Sequence, residues 1–600
     1  MKLSDYVAEK LVDFGIKHIF MVTGGGAMHL NHSFGTNKNL DCTFNHHEQA
    51  CAIAAESYYR LNNQLAVANV TSGPGGTNAI TGVYGAFVDS IGMLVISGQV
   101  KIETTVRSTG LPLRQYGDQE LDIEELVRPI TKYCFMVTDP KTIRYHLEKA
   151  IYLAKSGRPG PCWLDIPLDV QSAQIDQSTQ VGFDPTEIDQ SWDKEDLDQT
   201  SKEILEKIYS AKRPVIYAGS GIRLSGEYVS FLSMVEKLGI PVVTAWNVHD
   251  AIWDTHPYYA GRPGTVGDRG GNFVTQNADL LLILGSRLNI RLVSYNWKSF
   301  AREAYKIWVD IDEVELKKPT VTPDMPVHAD LKVLLPKLAA ANYPGPTAAH
   351  KEWMEWSKER NLKYPTVLPE YWENESVNPY CFTKTLFESF KKDQIIIAGN
   401  ATASVAGYQA AKIQRGQRLW TNSGSATMGY DLPAAIGAYK ASDGEDIVCL
   451  TGDGSIMMNL QELQTIAGNK YSIKIFILNN SGYVSIFQTH RNFFNGVEVG
   501  GGPTSGVNFP NFEKLSIAFD IPYIRCENHD EMKDAINKTL IKKGPAICEV
   551  MIDKNVKFAP KLGAKVLPDG KIVSPPLEDL SPFLSREELA SNMIIPIQEF

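Results

Sequence analysis

The sequence predicts an α/β protein made of three doubly wound parallel-sheet domains. Three observations predict it. Apolar runs of strand length alternate with helical segments through most of the 600 residues, the pattern of parallel strands joined by crossover helices. The runs are continuous rather than alternating, as in strands buried on both faces. Several of them end in Gly, Asp or Asn, at the carboxyl strand ends where open α/β sheets bind ligands. A chain of this length suggests three or four domains by the usual prior.

Residues 1–170 form the first block. Met1 to Asp5 leads straight into an amphipathic helix with no leader pattern. Strands are expected at Phe20–Val22, Leu65–Thr71 and Met93–Ser97, with a helix over Ala50–Arg60. A polar stretch from Gln171 to Glu195, rich in Gln, Asp, Ser and Thr, reads as a linker. The second block, 196–338, has expected strands at Pro214–Ala218, Pro241–Thr244, Leu280–Leu284 and Lys306–Ile311. A connector from Ala340 to Pro379 carries Pro, Trp and charge without clean periodicity. The third block, 380–555, has expected strands at Ile447–Thr451 and Ile473–Leu478. A proline-containing tail, 556–600, is expected to fold over a site or a neighbour.

The net charge of −10 gives no general attraction to nucleic acid or to an anionic membrane. No apolar run approaches membrane-spanning length. Eight cysteines are dispersed, mostly in apolar runs. They read as reduced core thiols of a cytoplasmic protein, not a disulfide or zinc framework.

The chemistry concentrates at two places. Gly452-Asp453-Gly454 follows one strand, and Asn479-Asn480 follows the next, with 25 residues between Gly454 and Asn480. An Asp carboxylate and an Asn amide oxygen are hard oxygen ligands suited to Mg²⁺, which commonly bridges protein oxygens to phosphates. The glycines let the backbone approach a diphosphate. In the first block Glu48 opens an Ala-rich helix, Ala50 to Arg60. Such a position shields a carboxyl from water and favours its neutral acid form.

Together these motifs resemble those of thiamine-diphosphate (ThDP) enzymes, and the whole of 1–555 resembles the acetolactate synthase family. The blocks that carry the resemblance are Thr71-Ser72-Gly73-Pro74-Gly75 with Asn78, Ser97-Gly98-Gln99-Val100, Gln119-Glu120, Gly157-Arg158-Pro159-Gly160-Pro161, Asp165-Ile166-Pro167, Thr427-Met428-Gly429, Gly452-Asp453-Gly454-Ser455, Glu462-Leu463 and Asn479-Asn480. The resemblance implies the three-domain ThDP-dependent decarboxylase/acetolactate synthase fold. It implies a pyrimidine-binding first domain, a central domain that is structural or binds FAD, and a diphosphate-binding third domain. It implies that Glu48 and Gln119 are catalytic, Glu48 by bonding the aminopyrimidine. It places the cofactor against Thr71, Pro74, Asn78, Ala426, Met428, Gly452, Asp453, Gly454 and Ser455, and the metal on Asp453, Asn480 and Gly482. For FAD it implies Gly219, Gly221, Arg287, Arg291, Asp310 and Asp330. It also implies a homodimer or homotetramer whose sites take Glu48 from one chain and Asp453 from another.

Four departures bear on the substrate. Asp118 stands where these synthases usually carry Phe, Leu168 where they carry Lys, and Thr489 where a gapless count expects Trp. Thr23-Gly24-Gly25-Gly26 replaces Tyr-Pro-Gly-Gly. With Asp118, Gly25 and Gly26 on the acceptor side, the pocket is more polar, and a buried polar group demands a hydrogen-bonding partner. That points to a 2-oxo acid donor, pyruvate, and a keto-sugar as carbonyl acceptor. A decarboxylase or flavin-dependent oxidase, and a silent ThDP-fold partner subunit, are the other readings the sequence leaves open.

Overall fold

The computed structural model describes residues 1–188, 196–566 and 570–598. The linker residues 189–195 and the tail residues 567–569 and 599–600 lie outside the described residues. Three parallel sheets with helices on their faces form the body of the chain. The first holds β1 (His18–Met21), β2 (Asp41–Phe44), β3 (Val67–Val70), β4 (Met93–Gln99), β5 (Tyr133–Met136) and β6 (Pro161–Pro167), in the order β2-β1-β3-β4-β6-β5. The second holds β7 (Pro214–Ala218), β8 (Val242–Thr244), β9 (Leu280–Leu284), β10 (Tyr305–Asp310) and β11 (Met325–His328), in the order β11-β10-β9-β7-β8. The third holds β12 (Ile395–Ala398), β13 (Arg418–Trp420), β14 (Ile447–Gly452), β15 (Ile473–Asn479), β16 (Tyr523–Cys526) and β17 (Ala546–Met551), in the order β13-β12-β14-β15-β17-β16.

The first and third sheets share one strand order. In every sheet the order reverses beside the first strand, between β1 and β3, β7 and β9, and β12 and β14. Loops diverge at such switch points and leave a crevice. The central strands are apolar and buried along their length, as in β4, β6 and β9, which is why their sequences read as unbroken hydrophobic runs.

Two stretches expected to be irregular are built into the scaffold. Gln171, taken as the start of the linker, is fully buried. Its Nε2 donates to the carbonyls of Gly26 and Ile166, both at 2.7 Å, so it pins the loop after β1. The connector 340–379 contains a helix, Ala348–Lys363. Its inner face includes His350 and Ser357 beside Trp353 and Met354. The ring of His350 pairs with Ala211 O at 2.9 Å, and Trp353 Nε1 donates to Pro214 O at 3.2 Å. Polar residues facing a core, satisfied by hydrogen bonds, erase the apolar period a sequence reading depends on.

The tail runs back across the second and third domains. Gln409 Nε2 donates to Pro560 O at 2.6 Å, and Leu562 N to Thr265 O at 2.6 Å. Farther on, buried Glu578 pairs with Arg302 at 2.9 Å. After residue 562 come a short antiparallel pair, β18 (Lys565–Val566) and β19 (Ile572–Val573), and a helix, Arg586–Ser591.

The first and third domains meet through helix Glu48–Asn62 and helix Asp431–Ala441. A Cβ on Gly437 would stand 2.1 Å from Ala54 O, so the helices touch backbone to backbone. Ser57 Oγ donates to Ala434 O at 2.7 Å across the same contact. Glycine normally weakens a helix interior, and here close approach outweighs that cost. All eight cysteines are free and seven are buried. No helix among the described residues is long and apolar enough to cross a membrane.

Candidate active site

The third-domain switch point gathers the strongest candidates. Asp453 follows β14 and is 2% exposed. Burial pushes its carboxyl up to about 7, against the backbone N–H groups of Gly482, Gly454, Asn480 and Ser481, which favour the charged form. Oδ2 accepts from Asn480 N at 3.2 Å and from Gly482 N at 3.0 Å. The loop after β15 therefore folds around this one carboxylate. Asn480 donates through Nδ2 to Thr402 Oγ1 at 3.3 Å. Its Oδ1 is buried and has no partner. An orphaned amide oxygen costs free energy unless something electropositive fills the space beside it, and with a carboxylate adjacent the pair suits a hard cation.

The two glycines of the motif have different reasons. A Cβ on Gly452 meets nothing within 4 Å, so its backbone borders open space. A Cβ on Gly454 would meet Tyr483 Cε1 at 2.1 Å, so Gly454 exists to seat Tyr483. Ser455 is turned into the scaffold. Its Oγ donates to Asp431 Oδ2 at 2.6 Å and accepts from Gly429 N at 2.9 Å. Its one donor is spent, so its side chain braces the turn carrying Met428, which is half-buried. Ala426 is exposed and left-handed, φ +52°.

The first-domain set clusters at its own switch point. Glu48 begins helix Glu48–Asn62, and His47 caps it by accepting from Gln49 N at 3.1 Å. Glu48 Oε2 accepts from Asn78 Nδ2 at 2.9 Å. Asn78 is exposed and Glu48 only half-buried, so the shielding expected for Glu48 is not supplied by its own chain. The Ala-rich stretch is buried, but the carboxyl stands at the helix mouth. Thr71 fills the space beside Gly24, Gly26 and Gly75 rather than facing outward. Pro74 and Gly25 are exposed, and Gly25 borders open space, whereas Gly26 is held by Gln171. Among the described residues no hydrogen bond or ion pair joins Glu48 to Asp453.

Asp118 and Gln119 lie on a loop organised by Glu120. The Glu120 carboxylate accepts from Tyr116 N at 2.9 Å, Gly117 N at 3.0 Å and Val106 N. Gln119 is left-handed at φ +60°, and its carbonyl presses on Gly73, where a Cβ would stand 2.5 Å away. Both Asp118 and Gln119 are exposed. Asp118 makes no hydrogen bond or ion pair among the described residues, including none to Arg114.

Between the first and middle domains, at the middle domain's switch point, opens a cavity of about 600 Å³ whose first-domain wall includes Asp89 and Arg158. Gly221, Arg287, Asp310 and Asp330 line it. Burial pushes Asp310 up to about 6. Arg287 makes no side-chain hydrogen bond or ion pair among the described residues. Gly219 and Gly221 serve packing more than ligand approach, because a Cβ on either would strike Gly285 backbone at 2.2 and 2.8 Å. Arg291 does not line this cavity. Its guanidinium lies 5.0 Å over the Trp246 ring, which stacks on Tyr408.

Three family patterns match the chain in order. They are described as thiamine pyrophosphate enzyme, N-terminal TPP binding domain, over residues 1–126, central domain over 201–338, and C-terminal TPP binding domain over 398–550. The large subunit of acetolactate synthase from Lactococcus lactis is 31% identical over 95% of this chain and 96% of its own length. The chain belongs to the acetolactate synthase family of ThDP enzymes. Acetolactate synthase 1 of Zea mays is 30% identical over 94% of this chain and 87% of its own length. The isozyme 1 large subunit of Escherichia coli is 28% identical over 93% and 95%.

Within that family the protein is an enzyme of the ThDP-dependent carboligase type. The structure adds residues that the motif reading passed over. Gly399-Asn400-Ala401-Thr402 follows β12, directly across the switch point from Asp453. Asn400 Nδ2 donates to Ala426 O, and Ala401 is left-handed at φ +49°. The signal was present as a Gly-Asn pair closing an Ile-Ile-Ile-Ala run. Glycine-specific tests separate cradle from scaffold. Gly452→Ala should fold with native stability and bind ThDP more weakly, because it fills the open space. Gly454→Ala should lose about 1–3 kcal/mol of stability by overpacking. Thermal unfolding with ThDP titration reads both, and equal stability losses would remove the cradle assignment.

Proposed function

We propose that the protein is a ThDP- and Mg²⁺-dependent carboligase that decarboxylates pyruvate and joins the two-carbon unit to a keto-sugar. The observation that carries the reading is Asp453 beside the unpartnered Asn480 Oδ1, at the switch point of a ThDP-binding domain. Asp453, Asn480 and Gly482 would hold the cation, and Gly452 would admit the diphosphate. When bound, ThDP supplies a carbon nucleophile and an electron sink for decarboxylation. Glu48 would be the proton partner of the aminopyrimidine, with Asn78 orienting its Oε2. The relatives named acetolactate synthase direct the donor side to pyruvate. On the acceptor side, Asp118 is exposed, unpaired and presented by a loop that Glu120 keeps rigid. Once the acceptor covers Asp118 it needs a hydrogen-bonding partner, which hydroxyls supply and a second pyruvate methyl does not.

The site is completed by a second copy of the chain, with Glu48 from one and Asp453 from the other. The exposed Glu48 mouth supports this. So do the large apolar side chains left exposed in the first domain (Met28, Phe44, Tyr84, Phe87) and in the third (Met458, Ile486, Phe493). Exposed apolar surface on this scale favours association. The cavity between the first and middle domains is the place for FAD, with unpaired Arg287 available to its diphosphate and Asp310 and Asp330 on the wall beside it. Arg291, over the Trp246 ring, belongs to the same set by resemblance.

Metal binding should depend on pH with a definite sign. Asp453 keeps a proton below about 7, and a cation must displace it. Affinity for Mg²⁺ with ThDP should therefore rise about tenfold from pH 6 to pH 8. Calorimetry showing a flat profile would remove Asp453 as ligand.

Glu48→Gln and Asp453→Ala chains, each inactive alone, should regain activity when co-refolded, since some mixed sites receive both intact residues. Verified mixed dimers without activity would place the site within one chain.

Asp118→Phe should lower ligation to a nucleotide keto-sugar by tenfold or more while leaving pyruvate consumption within about twofold. Products identified by mass should shift to acetolactate or acetaldehyde. Equal loss of both activities would make Asp118 scaffold and favour plain acetolactate synthesis.

A further inference from the structure

Glu462 belongs to a motif that the cofactor chemistry leaves unexplained. It opens the short helix Glu462–Gly468 in the third domain, and none of its side chain reaches solvent. Its carboxylate crosses to the first domain. Oε2 accepts from Asn45 Nδ2 at 2.8 Å and from Thr465 Oγ1 at 2.8 Å, and Oε1 accepts from His46 N at 3.0 Å. Asn45 and His46 lie in the three-residue link between β2 and the helix that begins at Glu48. Asn45 is itself buried, accepts from Cys51 Sγ at 3.7 Å, and is tied to β1 through Met21 O. The link is thus fixed from both sides, and Glu48 follows directly from it.

We propose that Glu462 is a positioning residue for the Glu48 carboxyl, setting the backbone turn that aims Glu48 at the aminopyrimidine. The inference rests on the reading of Glu48 as the proton-holding group. The chemistry of the contact makes it specific. Three donors converge on one carboxylate, which accepts at several lone pairs and donates nothing. A glutamine of the same shape has one acceptor oxygen and an amide that only donates. With that oxygen facing Asn45 and Thr465, its NH₂ group opposes the His46 N–H. Two donors face to face in a buried site leave both unsatisfied, and the peptide that must move is two residues from Glu48.

The test is a polarity swap, read by the rate of C2-proton exchange of ThDP bound at saturation. Glu462→Gln should slow exchange about tenfold to a hundredfold, the range that follows loss of an outer partner of a functional ligand. ThDP affinity should stay within about threefold, since Asp453 and Asn480 are untouched. Asn45→Asp should slow exchange as well, because it sets two carboxylates face to face. The double variant Glu462→Gln/Asn45→Asp places a donating amide at position 462 opposite an accepting carboxylate at position 45, and returns the glutamine oxygen to His46 N–H. It should recover most of the wild-type rate. A merely structural contact has no reason to restore the exchange rate in this pairing. Additive losses in the double variant overturn the proposal, as do native rates in both single variants. Should Glu462→Gln not fold, Asn45→Ala leaves the carboxylate with two donors, and a native exchange rate there overturns it equally. Glu48→Gln is run alongside. Fast exchange in that variant sinks the reading of Glu48 itself, whereas slow exchange there with native exchange in the Glu462 and Asn45 variants sinks only the positioning role.

Discussion

The three domains are locked where buried Arg60 meets half-buried Arg418. Arg60 ends the helix that Glu48 begins, and its guanidinium pairs with Glu56 Oε1 and Asp89 Oδ2, each at 2.6 Å. Arg418, on β13, donates to the Arg60 and Leu61 carbonyls at 3.0 and 3.1 Å and to Asp250 Oδ2 at 2.5 Å. One cation thus satisfies orphan carbonyls at the end of a first-domain helix while pairing with a second-domain carboxylate. Tyr430 OH closes the arrangement by donating to Glu56 Oε2 at 2.8 Å. Buried pairs of this kind add little net stability. Removing one partner nevertheless costs about 3–5 kcal/mol, because the other is left charged and dry. Their effect is to make one relative placement of the domains far better than its neighbours. Glu48 and Gly437 stand on helices whose register depends on that placement.

Around the candidate site the backbone is held in conformations it would not choose. Gln119, Ala401, Ala426 and Ser481 are all left-handed without being glycine. Each such residue costs of order 1–3 kcal/mol and survives only where surrounding bonds over-determine it. Those bonds are visible. Glu120 grips the loop of Gln119, Asn400 holds Ala426 O, and the loop containing Ser481 is bonded to Asp453 on both sides of it. These four residues lie in loops that follow carboxyl strand ends, where rigid sheets can absorb the strain.

Much of this was legible in the sequence because parallel strands buried on both faces write themselves plainly. Pro214–Ala218 and Leu280–Leu284 stand as read, since five apolar residues bounded by polar turns admit few alternatives. The Asp453 and Asn480 pair was legible for the same reason, since each residue closes such a run. What failed had a common cause. Helix Ala348–Lys363 faces inward with a histidine and a serine, and Gln171 is a polar residue at the heart of a loop. Local composition cannot show that a polar side chain has found its partner across 145 residues of chain, as Gln171 does with Gly26. The incomplete burial of Glu48 has a similar origin. Its helix is buried as the Ala-rich stretch suggests, but the surface facing the carboxyl is not local to it.

The shared strand order of the first and third sheets sets the division of labour. Both present a switch point with a glycine-bearing turn and a carboxylate, but the carboxylates differ in kind. Asp453 sits at a strand end inside a ring of backbone N–H groups, an environment that can hold a fixed charge beside a cation. Glu48 sits on the first turn of a helix, with one amide partner and an open mouth, an environment that is completed by whatever covers it. A cofactor with an anionic end and a proton-exchanging end needs both environments, and one switch point cannot supply them together. Burial raises Asp453 to about 7 within its loop, whereas Glu48 stands half-buried at a helix mouth. Two sheets of the same strand order, clamped by Arg60 and Arg418, meet that requirement from a strand-end loop in one and from the first turn of a helix in the other.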